Sequence, residues 1–298
     1  MYVEWLRKTG EPLYGGGGIW WRRYRGALIP AAAGPCFPVL GHDEAKRLLR
    51  ESGASFLRYS AGPYEEETQW WYVVCGEYDF NKLPGKMKGM INRGLKQCSV
   101  RRIGAEWLAE HGYGCYGAAF GRYRNARPLP EDAFRREILG TSGGPFENWG
   151  VFVGGELAGY CQCIMEDDTV STSSIKLHPG FLKYYSSYAL IHALCEQYVS
   201  AQRRRLSNFT RSISHDTRFQ EFLGKFGFRK LYCGLHVIYR PWLGLAVRMA
   251  YPARGLLRRI PDVGIVHAAG AILLQEQVRR SCLTIQTRIG LQPPHVAP

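Results

Sequence analysis

The sequence predicts an α/β (α+β) protein, a mixed sheet flanked by helices, with an N-terminal α/β lobe and a C-terminal helical tail. Three observations carry that prediction. Apolar and β-favouring runs at 151–153, 157–163 and 170–177 follow one another across a Gly154-Gly155 pair and an acidic Glu166-Asp167-Asp168 turn, the pattern of strands joined by tight turns. A helical period then runs from about 182 to 202, where Tyr184, Tyr188, Ile191, Leu194, Cys195 and Tyr198 keep one face. A strand at 206–210, a helix at 216–225 and a strand ending near Arg240 complete the order β-β-β-α-β-α-β over 149–240.

Size and composition bound what such a chain can do. With 298 residues and 46% hydrophobic content it can bury one large or two modest cores. The pattern divides into an N-terminal lobe at 1–97, a core at 98–240 and a basic, partly helical tail at 241–298. Lys and Arg total 39 against 25 Asp and Glu, a net charge of +14. That excess suits an anionic partner (a nucleotide cofactor, RNA, an acidic glycan or an anionic membrane face) or is simply a basic solvated surface. Met1-Tyr2-Val3-Glu4-Trp5 lacks the uninterrupted apolar core of a secretory signal. No run reaches the roughly 18 apolar residues of a membrane span, 263–274 being the nearest. Nine cysteines, an odd number without metal-type spacing, fit a reducing compartment. The expected location is therefore cytoplasmic, with peripheral membrane contact open. Cys161 and Cys163 alternate on a strand and read as buried small hydrophobes.

Taken in order, Gly15-Gly16-Gly17-Gly18 precedes aromatic, β-favouring residues and lacks a Gly-Lys-Ser/Thr ending, so it reads as a turn and not a phosphate cradle. Strands follow at 20–24 and 27–31, then a helix from His42 with Asp43 as its expected cap, and strands at 55–59 and 70–75. Residues 82–97 form a helix in which Leu83, Met87, Met90, Ile91 and Leu95 repeat while Lys82, Lys86, Lys88, Arg93 and Lys96 supply charge. It is either a solvated basic face or a helix turned toward an anion near the active cleft. A strand at 98–103 enters the core, and helices at 105–111 and 131–139 flank a Tyr- and Gly-rich stretch at 113–123. The tail from Pro241 to about Leu274 is arginine-rich and apolar. It either docks on the protein itself, the favoured reading, or lies on anionic lipid.

Three pieces of the core resemble the GNAT superfamily, the acyl-CoA-dependent N-acyltransferases. Gly154-Gly155-Glu156-Leu157-Ala158-Gly159 resembles its central hairpin, Ile175-Lys176-Leu177-His178-Pro179 its cofactor strand and loop, and Phe222-Leu223-Gly224-Lys225-Phe226-Gly227-Phe228 its closing signature. The resemblance covers roughly half the chain and implies a GNAT-like, strongly twisted sheet. It also implies an acyl-CoA or acetyl-CoA co-substrate whose pantetheine runs along 174–177, with Ile175, Lys176 and Leu177 as its strand residues. The pyrophosphate then falls on Leu182, Lys183, Tyr184, Tyr185, Ser186 and Ser187 at a helix N-terminus. The sequence departs from the family twice. Tyr185 and Ser187 stand where the family carries glycines. Leu223 stands where many members carry the tyrosine that acts as leaving-group acid. His215 with Asp216 is the substitute acid/base pair, Asp216 alternatively serving as a helix cap, and His178 is a further candidate that is also an ordinary loop residue. By the same resemblance Phe120, Tyr123, Phe134 and Phe146 flank the acceptor side or pack the core. No metal spacing and no nucleophile elbow occurs. The expected activity is direct N-acyl transfer to an amine of a small molecule or glycan. A looser resemblance to the Fem-type branch gives the alternative of an aminoacyl-tRNA donor, with tRNA as partner, and a non-catalytic GNAT-like binding module is the third reading.

Overall fold

The structure, a computed structural model, describes residues 1–121, 127–212, 218–257 and 265–288. In chain order they form α1 (Tyr2–Lys8), β1 (Leu13–Gly16), β2 (Ile19–Tyr24), β3 (Ala27–Pro30), α2 (His42–Ser52), β4 (Phe56–Ala61), β5 (Trp70–Cys75), α3 (Gly85–Gln97), β6 (Ser99–Ile103), α4 (Ala105–His111), α5 (Tyr113–Phe120) and α6 (Glu131–Leu139). There follow β7 (Phe146–Val153), β8 (Glu156–Met165), β9 (Thr169–Leu177), α7 (Ser186–Leu194), β10 (Arg205–Thr210), α8 (Phe219–Gly224), β11 (Arg229–Tyr239), α9 (Pro241–Ala250), α10 (Arg254–Leu257) and α11 (Ile265–Arg288). The chain separates into two compact units, one of 1–2, 73–209 and 218–229, the other of 3–72, 210–217 and 230–298.

The first unit is built on strands in the order β10-β9-β8-β7-β6. β6 to β9 pair antiparallel, and β10 pairs parallel to β9. Gly154 and Gly155 take φ of +59° and +90°, the left-handed pair that a two-residue hairpin requires and side chains resist. Because side chains alternate across a strand, neighbouring residues of β8 feed opposite layers. Tyr160 joins Leu108, Cys115, Tyr116, Phe134 and Ile138 in the core under α4, α5 and α6. Cys161 faces the other way, opposite Trp149, whose Nε1 donates to Tyr198 Oη (2.7 Å), which donates in turn to Glu147 (2.7 Å). Tyr198 lies in a π-helical continuation of α7, Cys195–Ala201. The Sγ atoms of Cys161 and Cys163 are 3.7 Å apart and buried, in keeping with two small apolar side chains on one face.

The second unit has strands in the order β1-β2-β3-β4-β11. The glycine run is the tip of the β1–β2 hairpin, Gly17 and Gly18 holding φ of +60° and +72°. β11 returns antiparallel along β4, from Gly234 opposite Ala61 to Tyr239 opposite Phe56. Leu48 and Leu49 of α2 close a core with Trp21, Leu28 and Leu57. α11 is anchored by polar contacts: Arg58 donates to Gln275 (3.2 Å), Tyr239 donates to Glu276 (3.3 Å), and Glu276 also takes Arg279 and Arg280 at 2.7 Å each. Burial opposes ionisation of Glu276, but the two guanidinium groups outweigh it and hold the carboxyl below its usual range.

Several local expectations are corrected. The helix expected over about 182–202 is broken, because Pro179–Tyr184 is 3-10 helical and Tyr185 is left-handed. The stretch at 113–123 contains α5, and α1 precedes the first strand. Gly41, not Asp43, caps α2, without a side-chain bond. The acidic turn is paired: Arg205 bonds Asp168, and Glu166 accepts from the Tyr2 N–H (3.1 Å).

Candidate functional site

The first unit's sheet opens between β9 and β10. These strands pair only at Thr169, Val170 and Ser171, opposite Arg205, Leu206 and Ser207. β9 then continues along β8 as far as Leu177, and among the described residues no strand pairs with the other edge of 174–177. Its peptide groups on that side face a fork. The sequence reason lies partly in a bulge: Ser174 opposes Gln162 while Thr172 opposes Cys163, so Ser173 is an extra residue that bends β9 there. Polar groups mark the floor of the fork. Asn208 Nδ2 donates to Thr172 Oγ1 (2.8 Å), which donates to Ser207 O (3.3 Å). The hydroxyls of Ser171 and Ser207, register partners on the last rung, are fully buried and have no hydrogen-bond partner among the described residues.

At the far end of β9 the chain makes the turn that opens α7. His178 Nδ1 accepts from the Gly180 N–H (3.1 Å), so this imidazole caps the 3-10 turn, and its ring packs on Phe181 at 5.1 Å. Tyr185 adopts φ +58° and ψ +28°, the conformation for which glycine is the default. The chain thus makes the turn with a tyrosine where the family resemblance calls for glycine. Tyr188 and Ala189 are the first residues of α7 to donate back, both to Tyr185 O (2.9 and 3.1 Å). The N–H groups of Ser186 and Ser187 precede them and, as the first of a helix, have no intrahelical acceptor. Ser186 is buried, its Oγ donating to Phe181 O (3.2 Å).

α3 braces this turn from outside. A Cβ on Gly94 would lie 2.8 Å from Tyr185 O and 3.3 Å from Ala189 Cβ, so only glycine permits the approach. Arg93 Nη1 donates to Tyr185 Oη (3.2 Å), with its guanidinium 5.8 Å from the ring centroid, and draws that side chain toward α3. Of the two readings of the basic helix, Arg93 favours the one that turns it toward the cleft, because it reaches the turn at Tyr185. Tyr188 packs edge-on against Phe222 at 5.0 Å, so the closing signature is an aromatic buttress for α7. Leu223 is buried in the core.

On the face of the sheet under α4, α5 and α6, Lys176 and Tyr160 are register partners. Lys176 Nζ lies 4.7 Å from the Phe120 ring centroid and 5.9 Å from that of Tyr116. Burial lowers its pKa, against an opposing effect of Glu137. Phe120 therefore meets a cation beside the fork, whereas Phe134 is core and Phe146 packs on Tyr2 at 6.3 Å. The structure brings Ile175, Lys176, Leu177, His178, Leu182, Lys183, Tyr184, Tyr185, Ser186 and Ser187 into one continuous strand, turn and helix start. His215, Asp216 and Tyr123 lie outside the described residues. Local pattern gives Arg93 and Tyr188 no role at the turn: Arg93 reaches Tyr185 from α3, and Tyr188 meets Phe222 of α8. The family resemblance implies Lys176 as a strand residue for pantetheine; its alternation with Ile175 and Leu177 sets its side chain on a separate face.

A coenzyme A chain fits this arrangement. An unpaired strand edge matches the amide groups of pantetheine, and the left-handed turn with free helix N–H groups matches a pyrophosphate. Among the described residues no group of His, Cys, Asp and Glu has the arrangement of a metal site, and no helix is long and apolar enough to cross a membrane.

No family model matches the sequence, and no curated protein matches it. Solved structures do match. The C-terminal domain of a protein described as a lysylphosphatidylglycerol synthetase, from Agrobacterium fabrum, aligns over 83% of this chain and 90% of its own, with a TM-score of 0.55 and 10% identity. FemX aligns over 80% of this chain and 90% of its own, with a TM-score of 0.51 and 8% identity. At such identities the likeness is one of architecture, and that architecture is a GNAT-like fold of the kind found in FemX.

Proposed function

We propose that the protein is an N-acyltransferase that takes an acyl group from acyl-CoA to an amine of a small molecule or glycan by direct attack. The observation that carries this reading is the parting of β9 from β10 beyond Ser171, which leaves 174–177 unpaired beside a helix start. Bound CoA supplies a thioester whose carbon–sulfur bond breaks as the amine nitrogen bonds the carbonyl carbon. Ile175, Lys176 and Leu177 offer backbone groups to pantetheine, while Ser186 and Ser187 offer N–H groups to the pyrophosphate, with Lys183 beside them. The bulge at Ser173 re-aims the strand at the mouth of the fork, where the thioester end sits. Phe120, Tyr116 and Lys176 line the acceptor side. His215, the sequence neighbour of Asp216, is the assigned base: it takes a proton from the acceptor ammonium before the free amine attacks, and returns a proton to the CoA thiolate that leaves. His178 is the weaker candidate, because its Nδ1 is engaged in the cap.

A second donor class, an aminoacyl-tRNA, is favoured by one feature: Arg93 and the basic face of α3 sit against the same turn. Thermal shift separates the two, because a ligand that binds only the folded state raises the melting temperature. Acetyl-CoA or a longer acyl-CoA should raise it. No shift with any acyl-CoA at millimolar concentration, and a shift with aminoacyl-tRNA, would transfer the site to the second donor.

A further inference from the structure

A separate surface lies in the second unit, on α9, and owes nothing to the transferase reading. Trp242, Leu245 and Met249 are 60%, 57% and 67% exposed. At 100° per residue they fall within about 60° of one another on the helix, forming one apolar ridge. Val247 on the opposite side is buried, so α9 already has its packed face, and the ridge is a second one. Three large apolar side chains in line on an exposed helix are unusual for a surface with no partner. The ridge continues inward, since Leu245 also lines a hollow of about 560 Å³ with Leu40, Leu235, Val237 and Leu283.

The same hollow is lined by Lys46 and Arg248, both exposed and with no ionic partner among the described residues. The nearby carboxylate, Glu276, is already taken by Arg279 and Arg280. Residues 241–298 hold seven Arg and no Lys against Asp262 and Glu276, so 7 − 2 = +5. Apolar ridge, tryptophan at the helix start and unpaired cations are the elements of a helix that lies in the plane of an anionic bilayer. The structure assigns that partner to this face: an anionic phospholipid surface, with Trp242, Leu245 and Met249 entering the head-group boundary and Arg248 and Lys46 meeting lipid phosphates. The favoured expectation for the tail was self-docking. α11 follows it, with Leu273, Val278 and Cys282 buried in its own unit, and α9 keeps its ridge outward.

Vesicle flotation of the full chain is the test, using phosphatidylcholine alone and phosphatidylcholine mixed with phosphatidylglycerol. The protein should float with the mixed vesicles, less so as salt is raised, and hardly with the neutral ones. Leu245→Ser with Met249→Ser should lower partitioning at least about tenfold. Arg248→Gln with Lys46→Gln should lower it by about fivefold for each charge removed. All four side chains are exposed, so unchanged melting curves verify the fold. Absence of binding to anionic vesicles would overturn the assignment, as would variants that bind like the parent. A concentration-dependent dimer abolished by Leu245→Ser with Met249→Ser, in a chain that ignores vesicles, would give the face to a second copy.

Discussion

Two glycines of α3 make opposite predictions for the same substitution. Replacing an interior helix glycine by alanine ordinarily stabilises by about 0.5–1 kcal/mol, because glycine loses more backbone entropy on folding. At Gly89 a new Cβ meets nothing within 4 Å, so Gly89→Ala should show that full gain. At Gly94 the Cβ would stand 2.8 Å from Tyr185 O and 3.3 Å from Ala189 Cβ. Comfortable separations are about 3.5–4.0 Å between carbons, so the helix pair must part by several tenths of an ångström. Overpacking of that kind costs roughly 1–3 kcal/mol. Against the propensity gain, Gly94→Ala should therefore be net destabilising by about 0.5–2 kcal/mol. Since each kcal/mol moves Tm by roughly 2–4 °C in a unit of this size, the two variants should separate on either side of the parent in a thermal melt. The atom displaced is also the acceptor for Tyr188 and Ala189, so Gly94→Ala should weaken ligand binding at the turn while Gly89→Ala leaves it intact. A Gly94→Ala protein as stabilised as Gly89→Ala would refute the packing of α3 on α7, and with it the bracing of the turn at Tyr185.

The remaining predictions concern titration, the turn and the proton transfer. Burial, with a smaller push from Arg279, lowers the His236 pKa to about 4 from an ordinary 6.5. The unfolded chain therefore binds the extra proton first: stability is whole above about pH 6.5 and falls toward pH 4 by about 3 kcal/mol. Denaturant titrations of the parent and His236→Gln over that range should differ in slope, and identical slopes would show another group to be responsible. Tyr185→Gly removes about 1–2 kcal/mol of left-handed strain but loses the Arg93 contact and gains unfolded-state entropy, so stability should change little. Acyl-CoA affinity, measured by calorimetry, should rise as the turn opens; a fall would mean that the tyrosine itself holds the ligand. His215→Ala should lower kcat by about a hundredfold or more at unchanged Tm, and Asp216→Asn should keep most of the activity if Asp216 is only a cap. Near-normal turnover of His215→Ala would remove it from the mechanism.

Much of the first unit was legible because its signals are local. The Gly154-Gly155 pair must turn, since few residues other than glycine accept φ of +59° and +90°, and the runs on either side alternate as strands do. α5 was missed because glycines and tyrosines mask its period, although Cys115, Tyr116 and Ala119 keep one buried face. The pairing of Tyr239 with Phe56 and the contact of Arg93 with Tyr185 join distant parts of the chain, and no short-range pattern encodes them. At the site, the residues from Ile175 to Ser187 could be named from the order of strand, proline and helix. What the sequence could not convey was that the fork opens just beyond Ser171 and that Tyr185 takes up glycine's conformation without being glycine.

Amide hydrogen exchange measured with and without acetyl-CoA tests the central claim most directly, because it reads the backbone groups that the strand edge offers. Pantetheine lying along β9 should slow exchange at 174–177 and at the N–H groups of Ser186 and Ser187, leaving Thr169, Val170 and Ser171, already paired with β10, unchanged. Acetyl-CoA that protects only another region, or none, would contradict the account.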